Sequence, residues 1–344
     1  MMQETPQLCV IIDTEEEFDW DGPFRREARA VTSIAAQDKA QAIFARYDII
    51  PTYVIDHPVA SDPDAVMLLK AYQDRGEAVI GAHLHPWVSP PFEEEVCRAH
   101  SYPGNLTPAL EYEKLRILTA IIEDAFKKRP LVYKAGRYGL GPNTPEILAR
   151  LGYKVDCSIV PYTDFSDDQG PDFLHETPHL RAFSPAADIL ELPLSNAFAG
   201  VLRGQGRWLY PRIQTPFLRR MHLPGICARL GLLERIRLSP EGQDARDHIR
   251  LTKAMFKDGF RVFSYTYHSP SLAPGHTPYV QSPADLTRFL DQMDRYFEFF
   301  FKTLGGHAAT PLEIYDQWSM TKGAGKESHA ASSRHRALLS GCNR

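Results

Sequence analysis

Short apolar runs alternate with amphipathic helical segments about seven times along this 344-residue chain, and this alternation constrains the fold more than any other feature. Parallel sheets require such an alternation, because each strand is followed by a crossover that covers the sheet. We therefore expect an α/β fold, either a barrel or a doubly wound sheet, which the pattern alone does not separate. The predicted strands lie within Leu8–Ile12, Asp48–Asp56, Glu77–His83, Arg129–Lys134, Tyr153–Ser158, Ile189–Leu194 and Arg261–Tyr267. The predicted helices are Thr32–Asp48, Asp64–Asp74, Glu111–Lys128, Thr144–Leu151, Asp247–Asp258 and Pro283–Leu304.

No internal repeat and no clean domain boundary interrupts this pattern, so residues 1–320 are predicted to form a single barrel-sized domain. Between Leu84 and Leu110 the chain is polar and rich in proline, which predicts a long loop over one face. From Gly200 to Leu238 it is basic and broken by glycine and proline, which predicts an inserted pair of short helices. Residues 321–344 lack apolar content and are predicted to be a disordered tail.

The composition excludes several classes of function. With 43% hydrophobic and 24% charged residues the chain is ordinary globular protein, and its net charge of −4 gives no sign of a surface for nucleic acid or anionic membranes. We expect no signal peptide, and no apolar run reaches the ~20 residues of a membrane helix. Five scattered cysteines without a CxxC pair indicate reduced thiols, and hence a cytoplasmic protein.

The first predicted strand ends in a crowded acidic loop. Carboxylates this close repel one another unless a cation or a hydrogen-bond network holds them. In α/β proteins the chemistry concentrates at such strand ends. A solvated acidic loop is the alternative, and it would be the better interpretation if this stretch stood alone. The six carboxylates are Asp13, Glu15, Glu16, Glu17, Asp19 and Asp21.

Two histidines stand at the end of the third predicted strand. His83 and His85 are two positions apart, so in extended backbone their side chains point to the same side. This spacing suits two imidazoles on one metal ion, with a carboxylate supplied from another strand. Two histidines and one carboxylate leave ligand positions open, as catalytic sites do. A hydrogen-bonded structural role is the alternative, and for the pair it weighs about as much.

Three more polar residues stand near the ends of later strands. Arg137 lies between glycines, from where it can project inward and hold Asp13 ionised. His268 ends the seventh strand, and a histidine of near-neutral pKa can protonate a leaving amine. Asp156 could orient a histidine or pair with Arg137. For each stretch alone, a surface arginine or a hydrogen-bonded core residue remains an open alternative.

Taken in chain order, these stretches resemble the motifs of polysaccharide deacetylases of the NodB-homology type, carbohydrate esterase family 4, with the WalW-like subgroup as the closest likeness. The resemblance covers roughly residues 8–320 and implies a distorted (β/α)7 TIM-like barrel. In that family the first motif carries a general base and a metal-binding acid, the second begins with a metal histidine, the third has an arginine that tunes the base, and the fifth has a general-acid histidine. The matching stretches are Asp13-Thr-Glu15, Gly81-Ala-His83, Lys134-Ala-Gly-Arg137-Tyr-Gly, Asp156-Cys-Ser and His268.

Three positions depart from the family pattern. Trp87 stands where the second motif has a later histidine, so His85 has to take that place. Thr14 separates the paired acids, and the second acid, Glu15, has a longer side chain than the adjacent aspartate of the family pattern. Lys134 stands where the family often has arginine, which leaves Arg137 as the predicted partner of the base.

The resemblance implies a metal-dependent hydrolase that removes the N-acetyl group from an amino sugar in a polysaccharide or its precursor. Glu15, His83 and His85 would hold one divalent cation, Zn²⁺ in the first place, although Co²⁺, Mn²⁺ or Fe²⁺ also suit imidazole and carboxylate ligands. Asp13 would be the base and His268 the acid.

Arg137 and Asp156 would keep that acid and base in their working protonation states. Trp87 and Tyr138 are expected to contact the sugar ring. Two alternatives stay open: a deformylase or other amide hydrolase acting on a carrier-linked sugar, and a non-catalytic carbohydrate-binding relative. We expect a carbohydrate partner and no nucleic acid, and the sequence does not indicate an oligomeric state.

Overall fold

The computed structural model describes residues 5–184 and 187–321, so the predicted tail falls almost wholly outside the described residues. Within them, nine strands form one sheet and two more form a separate hairpin. The strands are β1 Gln7–Thr14, β2 Thr52–Ile55, β3 Val79–Leu84, β4 Val132–Ala135, β5 Val155–Asp156, β6 Arg181–Ser184, β7 Ala187–Glu191, β8 Asn196–Ala199, β9 Glu234–Arg237, β10 Val262–His268 and β11 His307–Ala308.

The main sheet curls into an incomplete barrel. Its parallel strands follow the order β10-β1-β2-β3-β4-β5-β7, with β6 antiparallel on the edge and β11 beside β1. The last long strand lies next to the first, as in a barrel, whereas a doubly wound sheet begins in its middle. Between β7 and β10, Ser195 and Ser264 exchange backbone-to-hydroxyl hydrogen bonds of 2.8 and 2.9 Å. The predicted α/β class and distorted (β/α)7 barrel are confirmed.

Helices cover the outside of the sheet. One helix, without a label here, occupies residues 311–321 near the end of the described chain. The others are α1 Gln37–Phe44, α2 His57–Ser61, α3 Pro63–Asp74, α4 Pro108–Phe126, α5 Thr144–Leu151, α6 Gly206–Ile213, α7 Pro216–Arg220, α8 Leu223–Arg229, α9 Ala245–Lys257 and α10 Pro283–Glu298.

Several predicted boundaries differ from the observed ones. The helix expected over 32–48 is α1 flanked by two 3₁₀ turns, and it ends at Asp48, whose φ of 53° is left-handed. Only two residues of the fifth strand join the ladder, because the Ser158 hydroxyl replaces a backbone acceptor for the Ala135 N–H. The insertion contains three short helices rather than two, and the hairpin strands β8 and β9 enclose it.

The strand period of two separates two hydrophobic layers. Along β1, Leu8, Val10 and Ile12 pack against the helices, whereas Cys9 and Ile11 belong to the cluster inside the barrel. The helix at 311–321 contributes to this inner cluster and covers one end of the barrel. The inner face is therefore apolar along most of its length, and its other end is left for polar groups.

Candidate active site

Strand alternation brings Asp13 and His268, the predicted base and acid, together at the carboxyl ends of the strands. Asp13 lies on the same face of β1 as Cys9 and Ile11, and it is the register partner of His268 on β10. His83 of β3 is likewise the register partner of Lys134 on β4. Carboxyl ends of parallel strands are where barrel enzymes build their sites. Four polar side chains thus converge from four strands on one end of the barrel.

Glu15, His83 and His85 form a cluster with the donor set of a metal site. Glu15 Oε2 lies 3.4 Å from His83 Nε2 and 3.5 Å from His85 Nε2. All three side chains are buried. The other oxygen, Glu15 Oε1, has no hydrogen-bond partner among the described residues. The structure therefore brings the three predicted ligands together, and His85 occupies the place left open by Trp87.

The hydrogen bonds behind the two imidazoles fix them in a ligand-ready form. His83 Nδ1 donates to the Lys134 carbonyl at 2.9 Å, and His85 Nδ1 lies 2.8 Å from Glu16 Oε2. Each Nε2 then faces Glu15 with a free lone pair, which is the usual second-shell arrangement of a metal histidine. Burial lowers the pKa of His85 to about 4 and that of His83 well below its usual value, so both rings are neutral.

Glu15 itself is held in a position that calls for a cation. Burial raises its pKa well above the usual value, and the nearby carboxylates of Asp13 and Glu16 raise it further. An ionised carboxylate in such a place is stabilised by a metal ion and otherwise takes up a proton. Neutral imidazoles, a buried acid and an unpartnered oxygen therefore fit a divalent cation.

Glu16 and Asp56 support this cluster from behind. Asp56 accepts the Glu16 N–H at 2.8 Å and the Val59 N–H at 2.9 Å, which also caps α2. Glu16, Asp56 and His85 are close enough to offer a second set of donor atoms. Because Asp56 is committed to two backbone N–H groups and Glu16 to the back of His85, we assign them a positioning role.

Asp13 is paired with Lys134, which corrects the predicted role of Arg137 as its partner. Lys134 Nζ lies 2.5 and 2.8 Å from the two oxygens of Asp13, and it also donates to Thr266 Oγ1 at 2.9 Å. Burial alone would raise the pKa of Asp13, but Lys134, through its charge and its hydrogen bond, acts together with His83 and His268 to bring that pKa below its usual value. Lys134 therefore holds the base ionised.

Arg137 turns away from Asp13 because it lies beyond the end of β4. Its φ of 52° places it in a left-handed turn, and its guanidinium pairs with Asp168 and donates to Ser101 Oγ. The same guanidinium lies 4.1 Å from the ring centroid of Tyr102. Arg137 still lines the cavity above the site, so it is available to a substrate rather than to the base.

Glu241, which the sequence analysis did not single out, orients His268. Glu241 Oε2 lies 2.7 Å from His268 Nδ1, and Oε1 accepts from the His268 N–H at 3.0 Å and from Ser271 Oγ at 2.7 Å. His268 Nε2 then points at Asp13 Oδ2, 3.5 Å away. Burial lowers the pKa of His268, but Glu241 and then Asp13 more than compensate, so the net direction is upward.

Replacing Glu241 with glutamine is expected to move the alkaline limb of the kcat profile to lower pH. A general acid works below its pKa, and removing the carboxylate removes the largest contribution that raises the pKa of His268. The pH dependence of kcat measures this shift. Glu241→Asp should restore part of it, and Asp19→Asn, an exposed change in the acidic loop, should leave the limb where it is. An unmoved limb in Glu241→Gln would remove Glu241 from this role.

Asp156 does not reach His268 or Arg137, which corrects the two partners expected for it. It accepts from Ser158 Oγ at 2.7 Å and from the Ser158 N–H at 3.0 Å, and its register partner on β7 is another acid, Glu191. Burial raises the pKa of both acids. Through Ser158, Asp156 fastens β5 to β4, and we assign it a structural role.

Trp87 is also misplaced by the sequence analysis, because it is only 1% exposed and cannot contact a sugar. Its ring stacks on that of His85, with centroids 4.2 Å apart. It therefore fixes the imidazole that takes the second ligand position. Tyr138, in contrast, lines the cavity, and its contact with a sugar stays a prediction.

A cavity of about 350 Å³ opens above these groups. The acidic loop supplies much of its wall through aromatic residues that sequence reasoning missed, although Phe18 and Trp20 stand among the loop's acids. Trp20 meets the His268 ring edge-on at 4.9 Å. The loop's outer acids, Asp19 and Asp21, are exposed and form a turn. The aromatic residues that line the cavity include Phe18, Trp20, Phe24, Tyr138 and Tyr279.

The fold and this site together define an α/β barrel with a polar centre at the carboxyl ends of its strands. Three solved structures share the fold. The allantoinase PuuE aligns with a TM-score of 0.53 at 15% identity over 93% of both chains. A probable polysaccharide deacetylase from Pseudomonas aeruginosa PAO1 aligns with a TM-score of 0.51 at 14% identity, over 91% of this chain and 90% of that one.

The third structure is TK1436, a GH57 branching enzyme from Thermococcus kodakaraensis, with a TM-score of 0.52 at 11% identity over 92% of this chain and 72% of that one. No protein-family model and no curated protein matches the sequence. The resemblance to polysaccharide deacetylases is thus confirmed at the level of the fold, whereas the WalW-like subgroup stays a prediction.

Across the described residues, no helix combines the length and the apolar character that crossing a bilayer requires.

Proposed function

We propose that this protein is a metal-dependent amide hydrolase that removes the N-acetyl group from an amino sugar of a polysaccharide or its precursor. One observation carries the proposal: the cluster of Glu15, His83 and His85 lies beside an ion-paired Asp13 and a carboxylate-oriented His268. A base, an acid and a set of metal ligands within one cavity are the parts that hydrolysis of an amide needs.

When bound by Glu15, His83 and His85, a divalent cation such as Zn²⁺ supplies Lewis-acid polarisation and a more acidic water. The protein's own groups move the protons. Asp13, held ionised by Lys134, accepts a proton at Oδ2 from the attacking water. His268, protonated and oriented by Glu241, donates its Nε2 proton to the departing amine nitrogen. Asp13 Oδ2 and His268 Nε2 lie 3.5 Å apart, and this proximity supports their acting on the same substrate group.

The cavity lining supports a sugar as substrate. Tyr138 and Trp20 present aromatic surfaces beside the acid and the base, and aromatic rings pack well against the apolar faces of sugars. Arg137 and Arg98 add donors at the rim. We place this chemistry in the cytoplasm, a location supported by the free thiols of the four cysteines in the described chain.

Metal analysis combined with acetate release from N-acetylhexosamine oligomers tests the proposal. We expect one equivalent of divalent metal, loss of acetate release on chelation, and recovery on adding Zn²⁺ back. Glu15→Gln should bind the metal more weakly, whereas the exposed control Asp19→Asn should bind it as the wild type does. Release of formate from an N-formylated amino sugar, without acetate release from the N-acetyl oligomers, would favour a deformylase. Sugar binding that survives EDTA without turnover would favour a non-catalytic relative.

A further inference from the structure

The insertion between β8 and β9 has no part in the site described above. The two strands pair antiparallel, and the pairing continues through the Val201 N–H to the Gly231 carbonyl at 3.0 Å and the Leu202 N–H to the Leu232 carbonyl at 2.9 Å. Residues 203–230 thus form an excursion whose two ends are held together by this hairpin, and the excursion contains α6, α7 and α8. None of these residues lines the catalytic cavity.

This insertion exposes an unusual amount of apolar surface. Of the twelve exposed large hydrophobic side chains among the described residues, seven fall between positions 201 and 230. Phe217 is 71% exposed, Leu230 67% and Trp208 59%. Exposed clusters of this kind mark a surface that contacts another molecule. The other four are Val201, Leu202, Met221 and Ile226.

The same segment is strongly basic. Residues 192–233 contain six arginines and no aspartate or glutamate, although the whole chain carries a net charge of −4. Of these six arginines, only Arg203 has a carboxylate partner among the described residues, namely Asp258 at 2.8 Å. The arginines without an ion pair there are Arg207, Arg212, Arg219, Arg220 and Arg229. The charge averaged over the chain therefore conceals a local cationic surface, which is why composition gave no sign of it.

We propose that α6, α7 and α8 dock this protein on the surface of a membrane that contains anionic lipids. Exposed aromatic and aliphatic side chains enter the boundary between headgroups and acyl chains, while arginines bind lipid phosphates. The helices have five to eight residues, and α7 and α8 begin anew with Pro216 and Pro224 in their first turns, so they lie on the membrane rather than span it.

Charge decides between this occupant and the others. A second copy of the chain in a two-fold contact would bring the unpaired arginines of both molecules together without any carboxylate to separate them. Nucleic acid would satisfy the arginines but would leave side chains such as Phe217, Met221 and Leu230 in water. An anionic bilayer satisfies both kinds of group. The docking surface is independent of the proposed hydrolase activity, since its residues lie outside the catalytic cavity.

Vesicle co-sedimentation of the full chain tests this inference. We expect binding to phosphatidylcholine vesicles containing phosphatidylglycerol, little binding to phosphatidylcholine alone, and weaker binding at about 1 M than at about 0.1 M salt, because salt screens the charges. Arg219→Gln/Arg220→Gln should weaken binding about 30-fold. Phe217→Ser/Leu230→Ser should weaken it by about tenfold or more.

Matched controls separate a local surface from a general effect. Arg288→Gln/Arg295→Gln removes two exposed arginines from α10. Met67→Ser removes from α3 an apolar side chain of a residue that is 68% exposed. Both controls should bind vesicles as the wild type does. Vesicle binding that is absent, or equal in the insertion variants and the controls, would overturn the proposal. A dimer in sedimentation velocity that Phe217→Ser/Leu230→Ser dissociates would assign the surface to a second copy instead.

Discussion

Asp13→Asn is expected to lower kcat about 10³-fold, the usual contribution of a positioned general base, while one equivalent of metal stays bound. Asparagine keeps the size of the side chain and an oxygen that accepts from Lys134 Nζ, so the buried amine retains a partner along with Thr266 Oγ1. It cannot accept a proton from water. Because Asp13 is not one of the three clustered ligands, metal content should not change.

The measurement is single-turnover acetate release together with metal content and the thermal unfolding midpoint. Asp19→Asn is the matched control, since it makes the same chemical change in the same loop at an exposed position. Wild-type kcat in a folded, metal-loaded Asp13→Asn protein would exclude Asp13 as the base. Loss of metal in that variant would instead place Asp13 among the ligands.

The parts of this site that follow from strand periodicity could be predicted from the sequence. A period of two, combined with parallel strands, puts Asp13, His83 and His268 on one inner face at one end of the barrel, and all three lie there. The same rule places Lys134 on that face, two positions after the inner residue Val132. Likeness to a family arginine drew attention to Arg137 instead, which lies past the strand in a left-handed turn.

Other parts depend on contacts that no local pattern reveals. Glu241 stands in a loop after a four-residue strand, and only the tertiary fold brings it to His268, 27 positions away. Trp87 looked like a groove residue because aromatic type does not reveal burial. Asp156 looked catalytic because it ends a strand, yet its neighbour on the adjoining strand is another acid, Glu191. Strand ends thus identify candidates, whereas pairing between strands decides their roles.

Lys134→Met is expected to destabilise the fold by about 3–5 kcal/mol, because it leaves the carboxylate of Asp13 buried without its partner. Both side chains are buried, and both pKa shifts favour the charged form. Burial lowers the pKa of Lys134, but Asp13 raises it above its usual value, just as Lys134 lowers that of Asp13. Methionine fills a similar volume without replacing the charge, so the loss is electrostatic rather than a cavity effect.

The sign of both shifts gives the pH window. A carboxyl with a lowered pKa stabilises the fold above its unfolded value of about 3.9, and an amine with a raised pKa does so below about 10.4. The pair therefore contributes fully between these limits, and its contribution falls as pH drops through the folded pKa of Asp13 or rises through that of Lys134. Urea unfolding of Lys134→Met should show its largest deficit near neutral pH.

A double variant separates this ion pair from simple loss of packing. Asp13→Asn/Lys134→Met removes both charges, so it should be more stable than Lys134→Met alone, although equally inactive. Lys134→Arg, which keeps a positive charge near Asp13, should recover much of the stability. If the double variant were instead as unstable as the sum of the two single changes, the two side chains would be energetically independent. The buried pair would then have no part in holding the base ionised, and the acid–base assignment built on it would have to be abandoned.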